Sequence, residues 1–317
     1  MIDRRQFIAA VLASAALRAN AETPRSTFGA GSTAEEVTAG LDLSGKTAVV
    51  TGCNSGIGFE TMRVLALRGA HAIGTARTRE KGVEACGKVK GRATPVVLEL
   101  TDFASVMACA DHIRAITPRI DMLILNAGIV LGRHLEQVYG LEKQFVVNHL
   151  GHFLLTTRVL DLVQAAPQGR VVTVGSGNHR DAPPGGIQFD ALSGKGWEGR
   201  GYPHSKLANG LFSLELAKRL KGTRATSNCL TPGPVRTNIR RYTLGSGPKE
   251  MKSPEQGAAT QCYVATSPQL VNVSGEYFSN CNPAPQSAYQ QDAAMAAKLW
   301  EVSTRLTIDI VKRMQHY

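Results

Sequence analysis

Two side chains with acid/base potential, Tyr202 and Lys206, stand four residues apart in Gly-Tyr-Pro-His-Ser-Lys. On a helix this spacing brings both side chains to one face, so the Lys206 ammonium can lie beside the Tyr202 phenol. A free tyrosine has a pKa of about 10, and a neighbouring positive charge lowers that pKa by favouring the phenolate. The pair is therefore a candidate for proton exchange with a substrate. The alternative is a solvated helix on which the pair does no chemistry.

A glycine-rich turn, Thr-Gly-Cys-Asn-Ser-Gly-Ile-Gly, occupies residues 51–58 directly after the apolar run 47–50. Its glycines, Gly52, Gly56 and Gly58, allow a tight bend and a close approach of the backbone to a pyrophosphate. The free N–H groups and the dipole of the following helix favour such an anion. The turn predicts a dinucleotide site, and the alternative is an ordinary strand-to-helix loop.

The end of the next strand indicates which dinucleotide binds. An NAD site places an acidic residue there to bind the ribose hydroxyls, whereas this chain has Ala76 followed by Arg77. An arginine can pair with the 2′-phosphate of NADP. We therefore predict NADP as the cofactor and keep NAD as the alternative. For Arg77 itself the alternative is a solvated turn residue.

Strand-like and helix-like segments alternate along the chain. Strands are predicted at 47–50, 71–75, 94–98, 122–125, 170–174 and 225–230, and helices at 58–68, 103–116, 145–164 and 205–220. This order predicts an α/β fold with a doubly wound parallel sheet of the Rossmann type. Such sheets bind nucleotides beyond the carboxyl ends of their strands. No low-complexity linker or repeat divides the sequence after residue 43, so we predict a single domain over 43–317.

Composition excludes two other classes of function. The 317 residues carry a formal charge of +11, which could indicate a nucleic-acid partner, but aromatic residues make up only 6% and no basic run is interleaved with them. We therefore predict no nucleic-acid partner. The six cysteines lack paired C-x-x-C spacing and nearby histidines, so we predict no metal site.

The first residues have the pattern of an export signal. Arg4 and Arg5 precede an eleven-residue apolar run over 7–17, and Ala19-Asn20-Ala21 follows. The run is far shorter than the roughly 20 residues of a membrane-spanning helix, and paired arginines before it resemble the bacterial twin-arginine signal. We predict a signal peptide over 1–21, a flexible lead-in over 22–42, and a periplasmic or exported protein that meets the twin-arginine machinery in transit. The alternative is an amphipathic tail on a cytoplasmic protein.

Several further stretches carry recognisable motifs. They are Leu-Asn-Ala-Gly (125–128), Phe-Val-Val-Asn-His-Leu-Gly-His-Phe-Leu-Leu-Thr (145–156), Tyr-Pro-His-Ser-Lys-Leu-Ala-Asn (202–209), Pro-Gly-Pro-Val-Arg-Thr (232–237), Ser-Gly-Glu-Tyr-Phe (274–278) and Lys-Leu-Trp-Glu-Val-Ser (298–303). Together with the glycine turn, these stretches resemble the short-chain dehydrogenase/reductase family, in particular its retinol dehydrogenase and WW-domain oxidoreductase-like branch, over roughly residues 43–306.

The resemblance implies a site. Its catalytic residues are Asn148, Ser176, Tyr202 and Lys206: Ser176 binds the substrate oxygen, Tyr202 exchanges a proton with it, Lys206 holds the ribose and lowers the tyrosine pKa, and Asn148 anchors a water chain to Lys206. The cofactor-binding positions implied are Gly52, Asn54, Ser55, Gly56, Ile57, Gly58, Arg77, Glu99, Leu100, Asn126, Ala127, Gly128, Tyr202, Lys206, Pro232, Gly233, Val235 and Thr237. Glu99 departs from the usual aspartate of the family.

The resemblance also implies the reaction: hydride transfer between NADP and an alcohol, aldehyde or ketone of lipophilic character. The 25 residues between Ser176 and Tyr202 form a longer insert than simple members carry, and with the stretch 240–251 they are expected to cover the substrate. The alternative function is an NADP-binding sensor or scaffold on the same fold. The oligomeric state is left open between monomer and homodimer.

Overall fold

The computed structural model describes residues 23–197, 199–239 and 251–314, so the predicted signal peptide lies outside the described residues. The strands are β1 (Thr47–Thr51), β2 (His71–Ala76), β3 (Ala93–Val97), β4 (Met122–Leu125), β5 (Gln137–Val138), β6 (Leu141–Glu142), β7 (Arg170–Val174), β8 (Thr226–Thr231), β9 (Tyr277–Ser279) and β10 (Asn282–Pro283). Eight of them form one sheet in the order β10-β9-β8-β7-β4-β1-β2-β3, and β5 and β6 form a separate hairpin.

The main sheet is parallel from β3 to β9, and only β10 joins it antiparallel. The register pairs Val49 of β1 with Ile73 of β2 on one side and with Leu123 of β4 on the other. The strand order reverses direction at β1, because β2 and β3 extend one way and β4, β7 and β8 the other. The predicted doubly wound parallel sheet of the Rossmann type, in a single domain, is confirmed.

The helices are α1 (Ala34–Val37), α2 (Gly56–Leu67), α3 (Arg79–Gly87), α4 (Phe103–Ile116), α5 (Lys143–Phe145), α6 (Gly151–Ala165), α7 (Gly201–Arg219), α8 (Pro254–Thr266) and α9 (Ala293–Met314), and a π-helical turn (Val146–Leu150) joins α5 to α6. Among the described residues no helix is both long and apolar enough to cross a membrane.

Alternate residues of the strands pack into two separate hydrophobic cores, because successive side chains of a strand point to opposite faces of the sheet. Val49, Ile73 and Leu123 are fully buried in a cluster with α4, α6, α7 and α9. Their neighbours Ala48 and Val50 are equally buried in a second cluster with α1, α2 and α8. Burial on both faces explains why each strand reads as a continuous apolar run.

The helix boundaries differ from the predicted ones in informative ways. Helix α7 begins at Gly201, four residues earlier than predicted, because Pro203 fits the first turn, where its missing N–H has no partner to lose. Helix α3 was not predicted, since its sequence Arg-Glu-Lys-Gly-Val-Glu-Ala-Cys-Gly is polar and contains two glycines. The helix predicted at 145–164 is interrupted by the π-helical turn.

The segment 23–42 packs against the domain, which corrects the prediction of a flexible lead-in. A capping box between Thr33 and Glu36 starts α1, and Ala34 is fully buried. Glu35 forms an ion pair with Arg63 of α2 at 2.6 Å, and the Ser26 N–H donates to the Asn282 side chain at 2.9 Å. A composition rich in Ser, Thr, Gly and Ala predicted flexibility, whereas these few contacts hold the segment in place.

Candidate active site

The glycine turn follows β1 and is tightly packed. Gly52 has φ +71° and Gly56 φ +58°, the left-handed region that favours glycine. A Cβ on Gly58 would lie less than 3.0 Å from the Gly52 carbonyl oxygen and from the Asn126 amide nitrogen. Asn126, which follows β4, donates from Nδ2 to the Thr51 carbonyl at 2.8 Å. Residues from two strand ends therefore support one turn, as predicted for a nucleotide crevice.

The N-terminus of α2 is open to an anion. Its N-cap residue, Ser55, makes no side-chain hydrogen bond to the first turn, and Asn54 and Ser55 are exposed. The first N–H groups of a helix lack intrahelical partners, so this end can receive a phosphate group. The residues present fit the pyrophosphate of a dinucleotide.

The segment after β8 lies beside the same turn. A Cβ on Gly56 would be 3.1 Å from the Thr237 side chain, and one on Gly257 would be 2.6 Å from Ile57 and 2.7 Å from Val235. Ile57 and Val235 thus meet over Gly257 of α8. Pro232 and Gly233 begin this segment and are half-buried. The motif predicted for the nicotinamide end and the glycine turn are brought together.

The predicted NADP-reading residue has an open side chain. Arg77 is exposed directly after β2 and forms no ion pair among the residues that the structure describes. Glu99 is half-buried, and its carboxylate accepts hydrogen bonds from Thr101 N at 3.0 Å and Thr101 Oγ1 at 2.8 Å. Leu100 is a core residue with 5% exposure, packed against Gly151. Of Arg77, Glu99 and Leu100, Arg77 is the residue whose exposed, positively charged side chain can bind a phosphate.

Ser176, Tyr202 and Lys206 meet at the carboxyl end of β7. Ser176 is close enough to the Tyr202 phenol to affect its pKa, and its hydroxyl donates to Asn178 Oδ1 at 3.2 Å. Lys206 Nζ lies 5.6 Å from the centre of the Tyr202 ring. Lys206 is buried and donates to the Val174 carbonyl at 2.9 Å. The spacing of four on α7 therefore brings the ammonium to the phenol, as predicted.

The electrostatics of this pair correct one expectation. Burial raises the pKa of Tyr202 above its usual value, and the neighbouring Ser176 hydroxyl opposes that rise. Burial also lowers the pKa of Lys206 to about 8. The expected lowering of the tyrosine pKa by Lys206 is therefore not found, because burial of the phenol has the larger effect. The Lys206 ammonium donates to the Val174 carbonyl rather than to the phenol.

Asn148 lies in the π-helical turn and connects three elements. Its Oδ1 accepts from Ile129 N at 2.8 Å, and its Nδ2 donates to Ser205 Oγ at 2.9 Å. A Cβ on Gly128 would lie 3.2 Å from Asn148 Oδ1 and 3.5 Å from Lys206 Nζ. All four predicted catalytic residues are thus neighbours, and Gly128 fits between them because it has no side chain. Ala127, half-buried beside Gly52, completes that loop.

The insert between Ser176 and Tyr202 is anchored to the C-terminal part of the chain. His179 accepts from Ser287 N at 3.2 Å and donates from Nδ1 to the Ser176 carbonyl at 2.7 Å. Trp197 is buried and stacks on His204 with ring centres 3.8 Å apart. The other stretch expected to cover the substrate, 240–251, lies outside the described residues except for Met251.

Two supporting residues were not assigned to the site by the sequence. His152 is buried and hydrogen-bonds to Thr51 and Asn148. His179 contacts the backbone of Ser176. The sequence could have indicated both histidines by their position, because each lies within four residues of a predicted catalytic residue.

The Rossmann-type sheet, with the glycine turn at the carboxyl end of β1, defines a class of protein, the α/β proteins with a dinucleotide-binding fold. Residues 46–244 match the short chain dehydrogenase family, and the chain belongs to that family. It is an enzyme of the short-chain dehydrogenase type.

The curated relatives agree. The chain is 36% identical to "Short-chain dehydrogenase TIC 32 B, chloroplastic" of Brassica napus, over 89% of this chain and 95% of that protein. It is 37% identical to human "Retinol dehydrogenase 14", over 82% and 86%, and 37% identical to the human "WW domain-containing oxidoreductase", over 90% and 73%. A crystal structure of a protein from Mycobacterium paratuberculosis is similar with a TM-score of 0.72 and 32% identity, over 87% of this chain and 97% of that one.

Proposed function

We propose that this protein is an NADP-dependent oxidoreductase that interconverts an alcohol and its aldehyde or ketone, with lipophilic substrates. The observation that carries the proposal is the buried Lys206, whose Nζ lies 5.6 Å from the centre of the Tyr202 ring, with Ser176 beside the same phenol. Similarity to a protein named retinol dehydrogenase supports an alcohol or carbonyl substrate of lipophilic character.

Each of the four residues has a role in the proposed reaction. NADPH, when bound, supplies the hydride that reaches the carbonyl carbon of the substrate. The Ser176 hydroxyl donates a hydrogen bond to the carbonyl oxygen, and the Tyr202 phenol gives that oxygen its proton, so that the alcohol forms. In the oxidation direction Tyr202 takes the proton back. Lys206 faces the tyrosine ring and holds the ribose, while Asn148 ties the π-helical turn to α7 through Ser205.

The choice of NADP is supported by charge at the end of β2. Arg77 is exposed there, and Ala76 offers no carboxylate to a ribose hydroxyl. A guanidinium can pair with a 2′-phosphate through two parallel hydrogen bonds. Gly52, Gly56 and Gly58, with the open N-terminus of α2, would hold the pyrophosphate.

The test is loss of NADPH absorbance with a panel of long-chain and aromatic aldehydes and ketones. Tyr202→Phe should keep the fold and NADPH binding but lower kcat about 100- to 10,000-fold, because a positioned proton donor contributes that much. Near wild-type turnover in this variant would refute the mechanism. NADPH binding by the wild type without turnover of any substrate would favour the sensor or scaffold alternative.

We also propose that the protein is exported to the periplasm through the twin-arginine machinery. The proposal rests on Arg4, Arg5 and the short apolar run that follows them. The twin-arginine route carries folded proteins, so the NADP would travel already bound.

A further inference from the structure

His152 lies on the first turn of α6 and bridges the two halves of the candidate site. It is 2% exposed. Its Nδ1 is 3.1 Å from the Asn148 carbonyl oxygen, and its Nε2 is 2.9 Å from Thr51 Oγ1. Thr51 is the last residue of β1, directly before the glycine turn, whereas Asn148 lies in the π-helical turn near Lys206. One imidazole ring therefore connects the cofactor side to the proton-transfer side.

The position of each proton in this bridge follows from its partners. Thr51 Oγ1 accepts the N–H groups of Asn126 and Ala127, both at 2.9 Å, which occupies both of its lone pairs. Its own hydrogen is then available to His152 Nε2 at 2.9 Å, and the other possible acceptor, the Ile124 carbonyl, is 3.5 Å away. A carbonyl only accepts, so Nδ1 must carry the imidazole proton. Both ends of the ring thus require the same neutral tautomer.

The charge state agrees with this geometry. Burial, together with the positive charge of Lys206, lowers the pKa of His152 to about 4, and the hydrogen bond to the Asn148 carbonyl opposes this shift. A cationic ring would present an N–H to Thr51 Oγ1, whose lone pairs are already occupied. The titratable groups that face this ring are Lys206 and the buried, neutral His149, whose pKa burial lowers to about 3.

We propose that His152 is a positioning residue: its Nδ1–H holds the main-chain carbonyl of Asn148, and its Nε2 ties that carbonyl to Thr51 and the glycine turn. The inference rests on the proposed function, since the bridge matters for catalysis only if Asn148 and Lys206 serve proton transfer. The Asn148 side chain is held independently by Ile129 and Ser205. His152 therefore contacts the main chain of Asn148, which these side-chain contacts do not reach.

Three substitutions separate the two ends of the bridge. Asparagine can place its Nδ2 where histidine has Nδ1, so His152→Asn keeps the donor to the Asn148 carbonyl and loses the contact with Thr51. Glutamine can place a polar atom where histidine has Nε2, so His152→Gln keeps the Thr51 contact and loses that donor. His152→Leu removes both contacts. His149→Leu is the matched control, because His149 is equally buried but is hydrogen-bonded to Ser303 of α9 at 2.8 Å, outside the bridge.

We expect His152→Gln and His152→Leu to lower kcat roughly 10- to 100-fold, the effect of a small misplacement at a reacting centre. KM and NADPH affinity should change little. His152→Asn should retain most of kcat, and His149→Leu should lose stability without the loss of kcat.

A measurement that does not depend on turnover completes the test. NMR of the full chain labelled with 15N-histidine should show that His152 is protonated at Nδ1 and unprotonated at Nε2. Thr51→Val should shift the Nε2 resonance. A proton on Nε2, or equal kcat in wild type and His152→Leu, would overturn the role of His152. Absence of turnover in the wild type would instead overturn the proposed function, while the NMR result would still decide whether the bridge exists.

Discussion

Gly58→Ala is the most direct test of how the glycine turn is built. The added methyl group would lie less than 3.0 Å from the Gly52 carbonyl oxygen and from Asn126 Nδ2. Neither group can move freely, because Gly52 is held in a left-handed turn and the Asn126 amide donates to the Thr51 carbonyl at 2.8 Å. Either the start of α2 shifts away from β1, or the Asn126 hydrogen bond breaks.

The expected magnitude follows from two opposing effects. Overpacking of a buried position costs about 1 to 3 kcal/mol, whereas replacing a helical glycine by alanine gains roughly 0.5 to 1 kcal/mol. The contact outweighs the gain, so the free energy of unfolding should fall by about 1 to 2 kcal/mol. NADPH affinity should fall as well, because the displaced backbone is the part that approaches the pyrophosphate.

Gly87→Ala is the matched control, since Gly87 is exposed on α3 with no atom within 4 Å of the added Cβ. It should leave NADPH affinity unchanged and raise stability slightly, by up to about 1 kcal/mol. Urea unfolding followed by circular dichroism gives the midpoints, and fluorescence titration gives NADPH affinity. If Gly58→Ala unfolds at the wild-type midpoint and binds NADPH as the wild type does, the close approach inferred for Gly58 is wrong.

Three further predictions test the cofactor, the buried lysine and export. Arg77→Ala should weaken NADP binding by roughly 1.5 to 3 kcal/mol and leave NAD binding nearly unchanged; equal weakening of both on titration would mean that Arg77 does not read the 2′-phosphate. Burial lowers the Lys206 pKa from 10.5 to about 8. Between pH 8 and pH 10.5 the unfolded chain therefore binds a proton on Lys206 that the folded chain does not. The free energy of unfolding should then rise with pH over this range. Lys206→Met should abolish this part of the rise in urea midpoint. Replacing Arg4 and Arg5 by lysine should retain the protein in the cytoplasm of its bacterial host. Cell fractionation with N-terminal sequencing measures this. Wild-type protein that is found in the cytoplasm and still starts at Met1 would contradict export.

The sequence alone determined the fold and the core of the site, because both depend on local patterns. Apolar runs buried on both faces alternate with helical segments, and that order leads to a doubly wound parallel sheet. A spacing of four placed Tyr202 and Lys206 on one face of α7, and the structure brings the lysine to the ring. The helix predicted at 205–220 did not include Tyr202, whereas in the structure it begins at Gly201 with Pro203 in its first turn.

The tertiary structure decided what depends on residues distant in sequence. Thr51 and His152 are 101 positions apart, and nothing in the chain between them predicts that their side chains meet at 2.9 Å. Ion pairing of Glu35 with Arg63 holds a segment whose composition predicted flexibility. The direction of the Tyr202 pKa shift likewise required the fold, because desolvation is set by every element that covers the side chain, whereas spacing reports only one charged neighbour.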